Sequence, residues 1–301
     1  MKTSSSTSPS RTHRLAILLA ASTLVLVPLA ACSDEGGNSE QNCFQEDPPP
    51  TPGHPSDSTF RGRITVEHDV NFAAGGTPEG SIVAAFSDLT YAEMKSRQPV
   101  TLSDYSCAGL TGAPYKVCHQ DPPCTVESLD ADKIDVEGLA GGTVALERTA
   151  VGRFSKQKLA GDLFGGTVKV VVTGQSKTGF MPSYDQSLEP PDLLSLSKPD
   201  LSSTTAVGES DLQLSWSAGN GDFIVLEIKT TDPNVTDTVQ CILKDDGCHH
   251  LHAGVFDWLE VKTGDTFKLT MARVRRVHKS LDNKTSVELN LTSQIEGELT
   301  R

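Results

Sequence analysis

The sequence predicts an all-β fold: two β-sandwich-like domains, residues 60–195 and 196–301, behind an N-terminal export segment and a tether that does not fold. Two observations carry this. Short runs of alternating apolar residues recur from residue 60 onward, each bounded by glycine, proline or aspartate, which is the punctuation of strands rather than the period of helices. A proline-bearing stretch, EPPDLLSLSKPD at 189–200, interrupts those runs and divides them into two groups.

The N-terminal elements follow from charge and length. Lys2, Arg11 and Arg14 precede the apolar run Leu15–Val27. A basic stretch before a short apolar one is the layout of a secretory signal. A spanning helix needs about 20 apolar residues, and Pro28 ends this run well before that. Residues 1–31 therefore read as a signal peptide. Residues 32–59 are rich in acids and proline and cannot bury enough apolar surface to offset their ordering entropy. As a coil, about 27 residues reach roughly 30 Å, which makes this segment a tether.

Leu29-Ala30-Ala31-Cys32 resembles the bacterial lipobox, placed at the end of the apolar run and followed by polar residues. The resemblance implies that the Cys32 thiol is acylated, as with palmitate, and becomes the mature N-terminus, so that a membrane is a partner through the lipid anchor. Each buried methylene contributes about 0.8 kcal/mol and a single chain holds only marginally. The several chains of this modification would hold durably. Ser33 at the second mature position implies, by analogy with enteric bacteria, an outer-membrane lipoprotein of the cell envelope.

In residues 60–195 the alternation places Ile64 and Val66 on one face, then Ile82, Ala84 and Phe86, then Ile134 and Val136, then Val168, Val170 and Val172. Only residues 87–98, SDLTYAEMKSRQ, have a pattern that allows a helical turn or two. In residues 196–301, Leu212, Leu214 and Trp216 share a face. So do Ile224, Leu226 and Ile228, then Phe267, Leu269 and Met271, then Val287, Leu289 and Leu291. About seven such strands in roughly 100 residues fit a two-sheet sandwich.

With Trp216 on an early strand and LEVKTGDTFKLTM at 259–271, the second domain resembles a fibronectin type III or immunoglobulin-like sandwich. Phe267 stands where that family has its corner tyrosine, so the hydroxyl bond expected there is missing. The wider chain is similar to predicted surface lipoproteins of myxobacteria. In those, IDVEGLAGGTVAL, LFGGTVKVVVTG, a Pro-Pro linker such as Pro190-Pro191, DLQLSW, a cysteine like Cys241 and DDG recur in this order. The resemblance implies architecture and location, and carries no activity.

Charge and cysteines narrow the function further. The chain has 26 basic and 39 acidic residues; losing Lys2, Arg11 and Arg14 with the signal leaves 23 basic, a net charge of −16. Such a surface repels nucleic acid. Of seven cysteines, six remain once Cys32 carries lipid: Cys43, Cys107, Cys118, Cys124, Cys241 and Cys248. An even count in an exported chain reads as three disulfides. Cys241 and Cys248 flank the Asp246-Gly247 turn signal and are expected to pair across a hairpin, a closure contributing roughly 2.5 kcal/mol. The other four leave three pairings open.

No catalytic constellation stands out. CHHLHAG at 248–254 puts His250 and His252 on one strand face, a spacing that binds zinc or copper, but three or four ligands must converge and Cys248 is already assigned to a disulfide. An incidental surface role is the stronger reading. DADKIDVEG at 130–138 clusters Asp130, Asp132, Asp135 and Glu137, yet Ile134 breaks the calcium-loop order, and a turn into a strand is preferred. ARVRRVHK at 272–279 puts Arg273 and Arg275 on one face, either to touch an anionic glycan or, preferably, as a solvated edge. The expected function is a non-enzymatic envelope lipoprotein displaying β domains for binding or assembly. An envelope protein or a glycan is the expected partner, and no cofactor is expected. The alternative is an envelope hydrolase or metal-dependent enzyme in the first β domain.

Overall fold

The computed structural model describes residues 60–87, 99–102, 104, 106–110, 128–202, 207, 210–232, 234–282 and 286–301. The signal peptide, Cys32, the tether, Cys43, Cys118, Cys124 and all but the first residue of the expected helical stretch 87–98 lie outside the described residues. The chain is nearly all β, as expected. Residues up to 195 form β1 (Phe60–Asn71), β2 (Pro78–Phe86), β3 (Pro99–Thr101), β4 (Cys107–Leu110), β5 (Lys133–Leu139), β6 (Val144–Ala145), β7 (Glu147–Ala150), β8 (Arg153–Ala160), β9 (Phe164–Thr173) and β10 (Tyr184–Leu188). Beyond them come β11 (Leu196–Lys198), β12 (Leu212–Trp216), β13 (Phe223–Thr230), β14 (Thr238–Leu243), β15 (Cys248–Leu251), β16 (Thr266–Ser280) and β17 (Ser286–Thr300), with one short helix, α1 (Gly254–Trp258).

Three sheets result. A ten-stranded sheet runs in the order β3-β4-β14-β13-β16-β17-β1-β2-β8-β7. A four-stranded sheet, β10-β9-β5-β6, and a three-stranded sheet, β11-β12-β15, complete the fold. The four-stranded sheet packs Ile134, Val136, Val168, Val170 and Val172 against Ile64, Val66, Ile82, Ala84 and Phe86 of β1 and β2. The three-stranded sheet packs Leu212, Leu214, Trp216 and Leu251 against Ile224, Leu226, Ile228, Phe267, Leu269 and Met271 of β13 and β16. Every apolar set read from the alternation is buried. Full burial of each such side chain contributes about 1.5–3 kcal/mol.

The division at 195/196 is corrected by the large sheet. β13, β14, β16 and β17 share one hydrogen-bonded layer with β1–β4, β7 and β8, so residues 60–195 and 196–301 are not separate sandwiches. The reason is β17. It pairs in parallel with β1 from Phe60↔Ser286 to Asn71↔Glu296 and antiparallel with β16 along its whole length. Its 15 residues reach roughly 50 Å, enough to serve both cores. Val287, Leu289 and Leu291 enter one core; Ile295 and Leu299, on the same face, enter the other.

A polar seam separates those cores. Along β1 the inward face reads Ile64, Val66, His68, Val70; along β17 it reads Leu291, Ser293, Ile295; along β16 it reads Met271, Arg273, Arg275. His68 pairs with Ser293, and Ser293 with Arg273, so the three polar residues stand in one row across three strands. All three are buried. The segment 189–195 crosses at this row: the Leu194 amide donates to Ser293 Oγ at 2.8 Å, and Arg273 Nη1 donates to the carbonyls of Asp192 and Leu193 at 3.2 and 3.4 Å. The proline-bearing stretch is a strap fastened to the sheet.

Candidate functional site

The cysteines depart from expectation. Cys241 is bonded to Cys107, 134 residues away, and not to Cys248. The Asp246-Gly247 turn does reverse the chain, but it carries it from β14 in the ten-stranded sheet to β15 in the three-stranded one. Cys241 and Cys248 therefore leave the turn in different layers. Cys107 instead stands directly opposite Cys241 on the paired strands β4 and β14. Cys248 is itself disulfide-bonded.

Beside these bonds sits a buried polar pair that the sequence reading missed. His249 Nε2 lies 3.1 Å from Asp104 Oδ2, and both side chains are buried. Asp104 Oδ1 accepts from the Ser106 amide at 3.1 Å and its hydroxyl at 2.7 Å. Burial raises the Asp104 carboxyl, but the bonds from His249 and Ser106 outweigh it and hold it below its ordinary value. The Ser106 hydroxyl is turned to the carboxylate and not to the imidazole. The trio ties Asp104 and Ser106 to His249 on β15.

The metal candidates separate by strand alternation. His249 and Leu251 point inward, which leaves His250 and His252 on the other face. His252 Nδ1 lies 3.5 Å from Asp211 Oδ2, both well exposed. Among the described residues no three His, Cys, Asp or Glu side chains converge as metal ligands. The aspartates of 130–138 are each engaged separately. Asp130 pairs with Arg148 at 2.9 Å, Asp132 with Gln175 at 2.8 Å and Asp135 with Lys133 at 2.7 Å.

The basic run 272–279 is not a sheet edge, nor is its first arginine open to a glycan. β16 lies between β13 and β17. Arg273 is fully buried, forked onto Asp245. Arg276 and His278 turn to the opposite face, where Glu288, also fully buried, sits within 3.4 Å of Arg276, 3.6 Å of His278 and 2.5 Å of Arg63.

What remains open is a cleft at one end of the large sheet, about 590 Å³ in volume. Its walls are residues 231–232 and 234–237 between β13 and β14, the residues that close α1, and Asp265 and Thr266 at the start of β16. Trp258 forms one wall, seated flat on β4: a Cβ on Gly109 would lie 2.5 Å from the indole, so only glycine fits beneath it. Asp232, Asp237, Glu260 and Asp265 supply carboxylates, and among the described residues no lysine, arginine or histidine lines the cleft.

Local bonds fix this geometry. Asp232 Oδ1 accepts from the amide and side-chain nitrogens of Asn234, both at 2.9 Å, which locks the turn. Asp265 Oδ2 accepts from the Lys262 amide at 2.8 Å. Thr231 Oγ1 donates to the Thr266 carbonyl at 3.0 Å. Thr230 Oγ1 is buried with no hydrogen-bond partner among the described residues. Glu260 adopts φ +56°, a left-handed conformation that costs a non-glycine residue about 1–2 kcal/mol and is held here by its amide on the Asp257 carbonyl. Arg301 and Lys262 line an adjoining cavity that shares Glu260 and Val261 with the cleft, and Arg301 is bonded there to Asp257 at 2.7 Å and to the Val261 carbonyl.

No family model and no curated protein matches the chain. The cleft was legible in the sequence only as polar loop text: nothing in TTDPNVTD at 230–237 announces that it will face Trp258 and Glu260.

Proposed function

We propose that this chain is a lipid-anchored envelope protein that holds a β body off a membrane and binds a partner at the loop end of its large sheet. Anchoring is supported by the ordered signal, the lipobox-like Leu29-Ala30-Ala31-Cys32 and the acidic, proline-rich tether. The resemblance to myxobacterial surface lipoproteins and Ser33 favour the outer membrane. The observation that carries binding is the cleft around Trp258: an aromatic wall and hydrogen-bonding groups held by their own turns. The net charge of −16 after signal removal speaks against nucleic acid as partner.

Mass spectrometry of the membrane-extracted protein tests the anchor, with a mass increase of several acyl chains expected on Cys32. Cys32→Ala is expected to release the protein from sedimenting membranes. An unacylated native chain, or a variant that still sediments, would refute the anchoring. Chemical-shift or fluorescence changes at Trp258 on adding envelope extracts test the cleft.

A further inference from the structure

We infer that the end of the large sheet next to the tether docks on the anionic phospholipid headgroups of the membrane that holds the anchor. This rests on the reading of Cys32 as a lipid anchor, and it adds which end of the folded body meets the lipid.

Connectivity picks the end. The tether runs into β1 at Phe60, which pairs with Ser286, the first residue of β17. The turn between β7 and β8 lies at the same end, because the Phe86 amide donates to the Gly152 carbonyl and Phe86 stands opposite Gly62. The Trp258 cleft, lined by Thr266, lies at the other end of β16, whose 15 residues reach roughly 50 Å. A membrane at the tether end leaves the cleft pointing outward.

Charge gives that end its partner. Arg153 and Arg63 flank the exposed Ala85 in one row across β8, β2 and β1. Arg63 is 43% exposed, while the side chain of Glu288, which holds it, is fully buried. Arg148 on β7 is 46% exposed, against 10% for its partner Asp130. Each pair shows its cation to solvent and hides its anion. Arg153 is exposed and has no acidic partner among the described residues. The exposed acid of the same hairpin, Glu147, is held by Lys156 at 2.6 Å. In a chain of net charge −16 after signal removal, three outward guanidiniums mark the end that an anionic surface attracts.

The tip between Arg148 and Arg153 is apolar. Val151 is 59% exposed, the most open of the large apolar side chains described. Its turn is fixed: a Cβ on Gly152 would stand 2.7 Å from the Leu129 carbonyl oxygen and 2.8 Å from that of Phe86, and φ there is +67°. A hydrophobic tip between basic side chains fits the boundary of headgroups and acyl chains. A nucleic acid would satisfy the arginines and leave the valine in water.

The test uses the native chain, purified in detergent and reconstituted onto vesicles of phosphatidylcholine alone or with one-third phosphatidylglycerol, and reads amide hydrogen exchange. Exchange across residues 149–153 is expected to be at least threefold slower on the anionic vesicles than on the neutral ones, and high salt should erase the difference. Residues 234–237 of the cleft should exchange alike on both. Val151→Ser with Arg153→Gln, which leaves Glu288 and Asp130 with their arginines, should remove the slowing with unchanged circular dichroism. Equal exchange on the two vesicles, a double variant slowed as much as the native chain, or slowing at 234–237 in place of 149–153 would overturn the docking end. Slowing that grows with protein concentration and needs no vesicle would give the hairpin to a second copy and overturn it too. Acylation of Cys32 is read by mass on the same sample. An acylated chain with equal exchange keeps the anchor and loses the docking end, and an unacylated chain that still shows the lipid-dependent slowing does the reverse.

Discussion

Arg273 and Asp245 form a fully buried two-pronged ion pair, with Nε to Oδ2 at 2.8 Å and Nη2 to Oδ1 at 2.9 Å. The same carboxylate accepts from Trp216 Nε1 at 3.1 Å and from the Gly221 amide at 2.9 Å, while the guanidinium holds the strap at 192–193 and the Ser217 carbonyl. Gly219 and Gly221 lie so close that a Cβ on either would stand 2.5–2.7 Å from the arginine. One side chain thus joins the large sheet, the small sheet and the strap. Removing one partner of a buried pair leaves an uncompensated charge and costs about 3–5 kcal/mol. Arg273→Met and Asp245→Asn are each expected to lose that much in urea unfolding, and the double variant less than their sum. Strict additivity would show that the two do not act as a pair.

The Cys107–Cys241 bond closes a loop of 134 residues. Chain entropy alone gives such a closure about 5 kcal/mol, and native disulfides typically contribute 2–5. Cys107→Ala with Cys241→Ala is expected to lower the urea midpoint, with little further effect of reductant attributable to this bond. Because β4 reaches the sheet through β14 alone on that side, protease cleavage around β3 and β4 should appear first.

On the outer face of β1 burial raises the Glu67 carboxyl, and the neighbouring Asp69 and Glu296 raise it further. A carboxyl that binds its proton more tightly folded than unfolded favours folding at pH below about 4.5, the ordinary value, and that contribution is lost as pH rises through the folded pKa. At neutral pH the charged Glu67 is a cost. Glu67→Gln is expected to add about 0.5–1 kcal/mol at pH 7, a rise of roughly 1–4 °C in Tm, and to change little near pH 3.5. A neutral-pH loss in calorimetry would contradict this.

Asp104 has the opposite sign. Its carboxyl is held below the ordinary value of 3.8, so its contribution is present above that pH and falls away as pH drops through the folded pKa. Asp104→Asn is expected to cost about 1–3 kcal/mol at pH 7 by weakening the bonds to His249 and Ser106. The gap between wild type and variant should narrow under acid below about pH 4; a constant gap would mean that the charge is not what matters.

Local pattern was legible and long-range pairing was not. Alternation alone identified the inward faces at Ile64 and Val66, at Leu212 and Leu214, and at Val287 and Leu289, because burial has a period of two along any strand. The same count carries on to His68, Ser293 and Arg273, but their meeting in one row depends on register between strands far apart in sequence, which no local pattern records. The Asp246-Gly247 turn signalled a reversal correctly. It could not say that the reversed strand enters another sheet, which is why Cys241 was assigned to Cys248 and not to Cys107. The prolines at 190–191 mark a crossing between layers, yet it is the bonds from Arg273, Ser293 and Asn220, all far away in sequence, that reveal among the described residues that the crossing is tied down.

The parallel union of β1 with β17 sets an order of events. Asn71 and Glu296, bonded at 2.6 Å, are 225 residues apart, so the first described strand waits for the last before its edge is satisfied. During synthesis the chain would carry β1 and β16 as two unpaired borders facing a gap. A product cut short before Ser286 would keep both borders open, and its failure would be sticking to its own copies rather than a gentle loss of stability.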